Sequence, residues 1–466
     1  MPIEKIRARQ ILDSQGEPTI EVDLITDIGV LRSSVSSTYI SDTNQTETQE
    51  LRDNNENYYN GKSVLKAIDN INKIIGPELV KSRLEVCQQR EIDMLMLRLD
   101  NDKTKLGSNA ILCVSISCCK AGAIKKCVPL YKYIGQLADN NNYIIPVPIF
   151  SIISGGILSN NTLSFKDFMI MPIGAKTFNE AMEMGCKIYK IVENTIAELQ
   201  EIKPPLGISC NGSFMPDLED NNEAISIIND AIKSSGYDDK IKISIDISAS
   251  DFTKDGQYDL SFKTDDSDPD DYIDSETLIE QYNELISEFP SIVSIEDPFD
   301  MEDWDSWPTL IEQSSIQIVA NELTSMNYER IEETIDRQAA NSLTIKLSQI
   351  GTITEIIDCY KLAKKNGLSI IVCAGYGETE DNFLSDFVIG LSAGQFKAGS
   401  PCRGERILKY NHIIRIEEEL GKNCIYAGEM YRNPSKLYDN IDDDNNDDDN
   451  DNKTKIKKKK NKKKKK

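Results

Sequence analysis

Between Ile241 and Ser400 one unit recurs: a short apolar strand, a functional residue at its end, then an amphipathic helix. The strand ends read IKISID (Asp246), IVSIED (Glu296, Asp297), IQIVAN (Asn321), LTIK (Lys346), SIIVCAG and QFK (Lys397). Strands alternating with helices at this spacing imply a largely parallel sheet, here closed on itself, so the fold class is α/β with a β/α barrel. In such a barrel the strand C-termini converge on one mouth, and residues placed there are read as catalytic. Two carboxylates, an amide and two lysines at one mouth point to chemistry on a metal-bound, anionic substrate.

The helices of the repeat carry matching apolar faces. Leu278, Ile279, Tyr282, Leu285 and Ile286 precede IVSIED; Ile353, Ile356, Ile357 and Tyr360 precede SIIVCAG, and Gly367 ends that helix. Upstream, NNYIIPVPIFSIISGG, ending at Gly156, and FKDFMIMP read as buried strands, and Thr177-x-x-Glu180 is a capping box opening a long helix. Residues 5–35 alternate and turn like antiparallel strands, Ser36–Thr48 reads as an exposed loop, and Ser63 to about Asp139 is helical. The expected organisation is an α+β domain over residues 1–138, a barrel over 139–437 and a tail over 438–466. That tail, Asp/Asn-rich and then poly-Lys, cannot repay its ordering entropy and is expected to be disordered.

The net charge is −24, yet residues 440–466 contribute +4 from 11 Lys against 7 Asp, so residues 1–439 carry −28. So acidic a body repels nucleic acid. The lysine run resembles a nuclear-import or polyanion patch, although a solvated tail neutralised by its Asp neighbours accounts for it more simply. Eleven cysteines without metal spacing, and no signal peptide, point to reduced thiols and a cytoplasmic protein. No apolar run reaches membrane-spanning length. His412 is the single histidine, on an amphipathic helix, so histidine acid/base chemistry and multi-His metal sites are nearly excluded.

DSQGEPTIEV (13–22), KLGSNAIL (105–112), FMIMPIGAKTF (168–178), SIEDPF (294–299), KLSQIGT (346–352), GETED (377–381), GQFKAG (394–399) and RIEEELG (415–421) together resemble enolase, in order and at nearly family spacing. Enolase is the glycolytic dehydratase that converts 2-phosphoglycerate to phosphoenolpyruvate. The resemblance implies a small N-terminal domain capping a β/α barrel, a Mg²⁺ cofactor, those two ligands, and a homodimer or a heterodimer with an active enolase. By position it makes Lys346 the base that removes the proton α to the carboxylate. Asp246 and Glu296 become two of three acidic Mg²⁺ ligands, and Lys397 becomes the cation that holds the substrate carboxylate.

Other positions depart from the pattern. The resemblance places Asn211 in SCNGS at the position of the proton-donor glutamate, and an amide cannot act as a general acid near neutral pH. The third metal ligand is Asn321, which keeps an oxygen but loses a charge; Glu322 beside it is expected to face away from the mouth. The phosphate-binding stretch is Cys373-Ala374-Gly375-Tyr376-Gly377, without its arginine. The active-site histidine aligns with Leu158, and an adjacent substrate-binding carboxylate is shortened to Asp167, preceded by Lys166. The mobile lid has become SSTYISDTNQT, longer and without glycine. The reading that follows is an enolase-family protein with weak or no dehydratase activity and a weakened Mg²⁺ site. Its rivals are a working enolase compensated by water, Cys210 or Lys166, and a Mg²⁺-dependent enolisation of another carboxylate. Lys346 and Lys397 fit equally well as structural ion pairs with Asp246 and Glu296, and Trp304 and Trp307 as shell packing.

Overall fold

A computed structural model describes residues 1–37, 50–265 and 267–438. The Asp- and Lys-rich tail beyond Tyr438, and the lid beyond Ser37, lie outside the described residues.

The chain opens with an antiparallel sheet of β1 (Lys5–Leu12), β2 (Pro18–Thr26) and β3 (Gly29–Ser34). Asp13 builds the first turn: its Oδ1 accepts the N–H groups of Gln15 (2.8 Å) and Glu17 (2.9 Å), and Gly16 takes φ +76° between them. The helix Ser108–Lys125 packs on this sheet and is apolar on nearly every side, which is why Cys118 and Cys119 are buried in it. All eleven cysteines are free.

Eight further strands close into a barrel: β4 (Val147–Ser154), β5 (Asp167–Met171), β6 (Lys242–Asp246), β7 (Ile292–Glu296), β8 (Gln317–Ala320), β9 (Ser342–Ile345), β10 (Ser369–Cys373) and β11 (Gly394–Lys397). They follow one another around the ring in chain order, and β11 returns to β4. All neighbours are parallel except at β5, which runs against both β4 and β6. The β4–β5 connection holds only a 3₁₀ turn, Gly156–Leu158, and a parallel crossover needs a longer, usually helical link. The reversal matters for the site. It brings the first residue of β5, Asp167, level with Ser154 at the end of β4 and Asp246 at the end of β6.

Helix starts follow their sequence signals. Thr177 Oγ1 accepts the Glu180 N–H (3.0 Å) and Thr352 Oγ1 that of Glu355 (3.1 Å). His412 Nε2 pairs with Asp386 Oδ2 (2.7 Å), linking helix Gly404–Leu420 to Phe383–Gly390. Trp307 is buried against Phe299, and Trp304 lies under the guanidinium groups of Arg330 and Arg337, so both tryptophans are packing residues. No helix among the described residues is long and apolar enough to cross a membrane.

The GETED segment docks the N-terminal sheet on the barrel. Asp381 accepts the Ser34 N–H (2.9 Å) and pairs with Lys120 (2.7 Å), and Thr379 Oγ1 accepts the Ser34 hydroxyl (2.8 Å). Ser37 and Gly377 exchange backbone hydrogen bonds at 2.8 and 3.2 Å. Ser36–Thr48 therefore does not begin as the exposed loop expected from its polarity; Ser37 is buried in this seam.

Candidate active site

Asp246 ends β6, Glu296 ends β7 and Asn321 directly follows β8, and all three are buried. Glu296 Oε1 and both amide atoms of Asn321 have no hydrogen-bond partner among the described residues. An unmatched buried polar atom costs about 1–3 kcal/mol, so these oxygens, grouped with Asp246 at one end of the barrel, fit a hard, oxygen-liganded cation. Asp297 also comes within 4.8 Å of Asp246 and Glu296. Its carboxylate, however, accepts the N–H groups of Asn321 (2.9 Å) and Glu322 (3.0 and 3.1 Å), so it shapes the turn after β8 instead.

Three lysines answer these acids. Lys397, at the end of β11, reaches across the mouth to Asp246 (2.7 Å) and Glu296 (2.9 Å). Lys166, just before β5, donates to Ser248 Oγ (2.8 Å) and lies 3.4 Å from Glu322 and 3.9 Å from Asp246. Lys346, just after β9, is half-buried and lines the cavity, and its Nζ makes no hydrogen bond or ion pair among the described residues. Of the two lysines that fit structural ion pairs, only Lys397 forms them. Burial would raise Asp246, but Lys166 and Lys397 outweigh it and hold that carboxyl at about 2. Glu296 goes the other way, pushed up by burial and by Asp246. Glu322 corrects an expectation: β8 ends at Ala320, strict side-chain alternation stops there, and Glu322 enters the mouth beside Lys166.

The cavity these residues share has a volume of ≈ 170 Å³. On its other side, Asn211 Oδ1 accepts from Ser209 Oγ (2.5 Å), Ser213 N (3.0 Å) and Ser213 Oγ (2.7 Å), while its Nδ2 donates to Asp167 (3.1 Å). Asp167 also accepts from Ser151 (2.5 Å) and Ser154 (3.1 Å). Burial lifts Asp167 to about 7 against the pull of Lys397 and Ser151. Burial likewise takes Asp251 to about 7, although Lys166 opposes it.

Leu158, Ala374, Gly375 and Tyr376 line the same cavity and bring no cation to it. The loop after β10 is held from behind. Glu378 accepts the Gly375 N–H (2.6 Å) and pairs with buried Lys409 (2.7 Å), and Arg406 donates to the carbonyls of Gly375 (2.9 Å) and Tyr376 (2.8 Å). Arg406 borders the cavity, and its two terminal guanidinium nitrogens donate to the backbone carbonyls of Cys210, Gly375 and Tyr376.

Family comparison agrees with this architecture. The sequence matches the family description "Enolase, N-terminal domain" over residues 3–134 and "Enolase, C-terminal TIM barrel domain" over residues 142–435. The chain belongs to the enolase family. Members of the family typically use Mg²⁺, and the acidic cluster at the mouth is compatible with such an ion.

Asp167, Asp246, Lys346 and Lys397, with Asn211, Leu158, Ala374, Gly375 and Tyr376, all line the one cavity; Glu296 and Asn321 are buried at the same end of the barrel. Sequence reasoning missed the contributions of Glu322, Asp251 and Arg406. The first was set aside by the alternation rule, and the other two carry no local signal.

Proposed function

We propose that this chain keeps the half of the enolase site that handles a substrate carboxylate and its α-proton, and has lost the half that completes elimination. Dehydration of 2-phosphoglycerate is accordingly weak or absent. The observation that carries this reading is the bonding of Asn211. Its oxygen is filled by three donors and its NH₂ is turned onto Asp167, so the group at the proton-donor position holds no exchangeable acid. Loss of a general acid typically costs about 10²–10⁴-fold.

In this reading Lys346 Nζ, bare among the described residues, takes the α-proton. Asp246, Glu296 and Asn321 would hold Mg²⁺, which when bound would stabilise charge on the carboxylate. Lys397 reaches that carboxylate only by giving up part of its hold on the two acids. With no arginine at Gly375, a phosphate has no bidentate partner there. Asn321 in place of an acid leaves the Mg²⁺ site one charge short.

A second reading, a working dehydratase, draws on Asp167. This carboxyl adjoins Asn211 and is lifted to about 7, so near neutral pH part of it carries a proton. Cys210 is a poorer stand-in, because burial raises its thiol. The third reading, enolisation of a carboxylate that lacks phosphate, draws on the cation-free surface of Leu158, Ala374, Gly375 and Tyr376. The deciding experiment is a 2-phosphoglycerate turnover assay with Mg²⁺ on protein purified away from host enolase. Turnover orders of magnitude below an ordinary enolase supports the first reading, and comparable turnover rejects it.

A further inference from the structure

The acid cluster holds a cation of its own. Lys166 is fixed beside Asp246 by more than charge: its backbone N–H donates to the Asp246 carbonyl (2.9 Å). Gly156, at φ +61°, packs against its Cα and Cβ so closely that a methyl group there would lie 3.0 Å from Lys166 Cα. These contacts fix the backbone from which the side chain starts, and its Nζ donates to Ser248 Oγ at 2.8 Å. Ser248, itself at φ +52°, donates within 3.3 Å of Asp246 Oδ1 and 3.2 Å of Glu322 Oε1, so one hydroxyl and one ammonium bridge both acids. Lys397 lies 2.7 Å from the same Asp246 oxygen, Oδ2, that Lys166 approaches to 3.9 Å. The Asn321 amide and Glu296 Oε1 have no hydrogen-bond partner among the described residues.

We infer that Lys166 is a tethered cation that supplies part of the charge compensation a divalent ion would bring, and so selects this mouth against Mg²⁺. The inference rests on the assignment of Asp246, Glu296 and Asn321 as the Mg²⁺-binding set. An ammonium beside one ligand repels an incoming Mg²⁺ and draws down the charge of the Asp246 oxygen that would hold it. Removing that charge leaves the ligand oxygens in place.

The test is calorimetric titration of MgCl₂ into the full-length protein and three variants. Lys166→Gln should bind Mg²⁺ about tenfold more tightly than wild type, and Lys166→Arg, which keeps the charge, should bind as wild type does. Asn321→Asp, which adds a ligand charge, serves as the control for the metal-binding set and should tighten binding as well. If Asn321→Asp tightens binding while Lys166→Gln does not, the role of Lys166 is refuted and the ligand assignment stands. If neither changes the affinity, both are refuted. Should Lys166→Gln not fold, Lys166→Met, which also removes the charge and keeps an apolar stem, should tighten Mg²⁺ likewise, and an unchanged affinity there refutes the inference.

Discussion

In the proposed reading Gly375 stands where the family pattern carries its phosphate-binding arginine, and the space beside it is taken by another part of the chain. A Cβ at this position would lie 2.4 Å from Ser36 Oγ and 2.6 Å from Ser36 Cβ. Restoring an arginine therefore requires the segment after β3 to move as well as a new guanidinium. Gly375→Ala should lower stability by about 1–3 kcal/mol, as overpacking does, and the cost should shrink on a Ser36→Gly background. Urea unfolding midpoints in a double-mutant cycle measure this; an equal cost on both backgrounds would show that the contact is not felt. The sequence read Ser36 as part of an exposed loop because polarity reports on solvent and is silent about partners distant in the chain. Asp246, Glu296, Lys346 and Lys397 were legible for the opposite reason, since each sits at the end of a strand whose pattern is local. Glu322 was misplaced because the rule of alternating faces was carried past the last residue of β8.

At the scale of elements, strands and helix caps were readable from periodicity and from residues such as Thr177 and Thr352, but the direction of β5 was not. An apolar run has no sign; only its short link to β4 reveals the reversal that puts Asp167 at the mouth. Nor did the sequence show how the N-terminal helices meet the barrel. Asp93, on helix Gln89–Leu99, accepts the N–H (3.0 Å) and hydroxyl (2.6 Å) of Thr354 at the start of helix Ile353–Lys365, and also the hydroxyl of Ser115 (2.7 Å). Burial nonetheless lifts its carboxyl to about 6, because these hydrogen bonds only partly offset the loss of water. The folded state therefore binds this proton more tightly than the unfolded chain, where an Asp titrates near 3.9. The associated stability is fully present below about pH 4 and is lost as pH rises through about 6, in all about 3 kcal/mol. Thermal melts between pH 4 and pH 6.5 should show a negative slope that is shallower in Asp93→Asn. Parallel slopes in the two proteins would rule this group out.

Across the whole molecule, the proposed reading places the departures from the family pattern at the mouth, while the segments that build and join the two parts keep it. The bonds of GETED to Ser34 and Lys120 give this segment a structural role that does not depend on a phosphate-binding arginine beside it. We propose assembly as a homodimer, or as a heterodimer with an active enolase, through the N-terminal strands and C-terminal helix whose motifs are kept. Sedimentation at micromolar concentration should then give twice the 52.4 kDa chain mass, and a strict monomer, alone and mixed with an active enolase, would remove the idea. The central claim, a site that can take a proton but cannot complete elimination, has its own signature in the two half-reactions. With 2-phosphoglycerate and Mg²⁺ in deuterated buffer, exchange at C2 and phosphoenolpyruvate formation can be followed in one sample, by mass spectrometry and by absorbance. Slow exchange at C2 with phosphoenolpyruvate nearly absent is the predicted result; phosphoenolpyruvate formed at the rate of an ordinary enolase would contradict it.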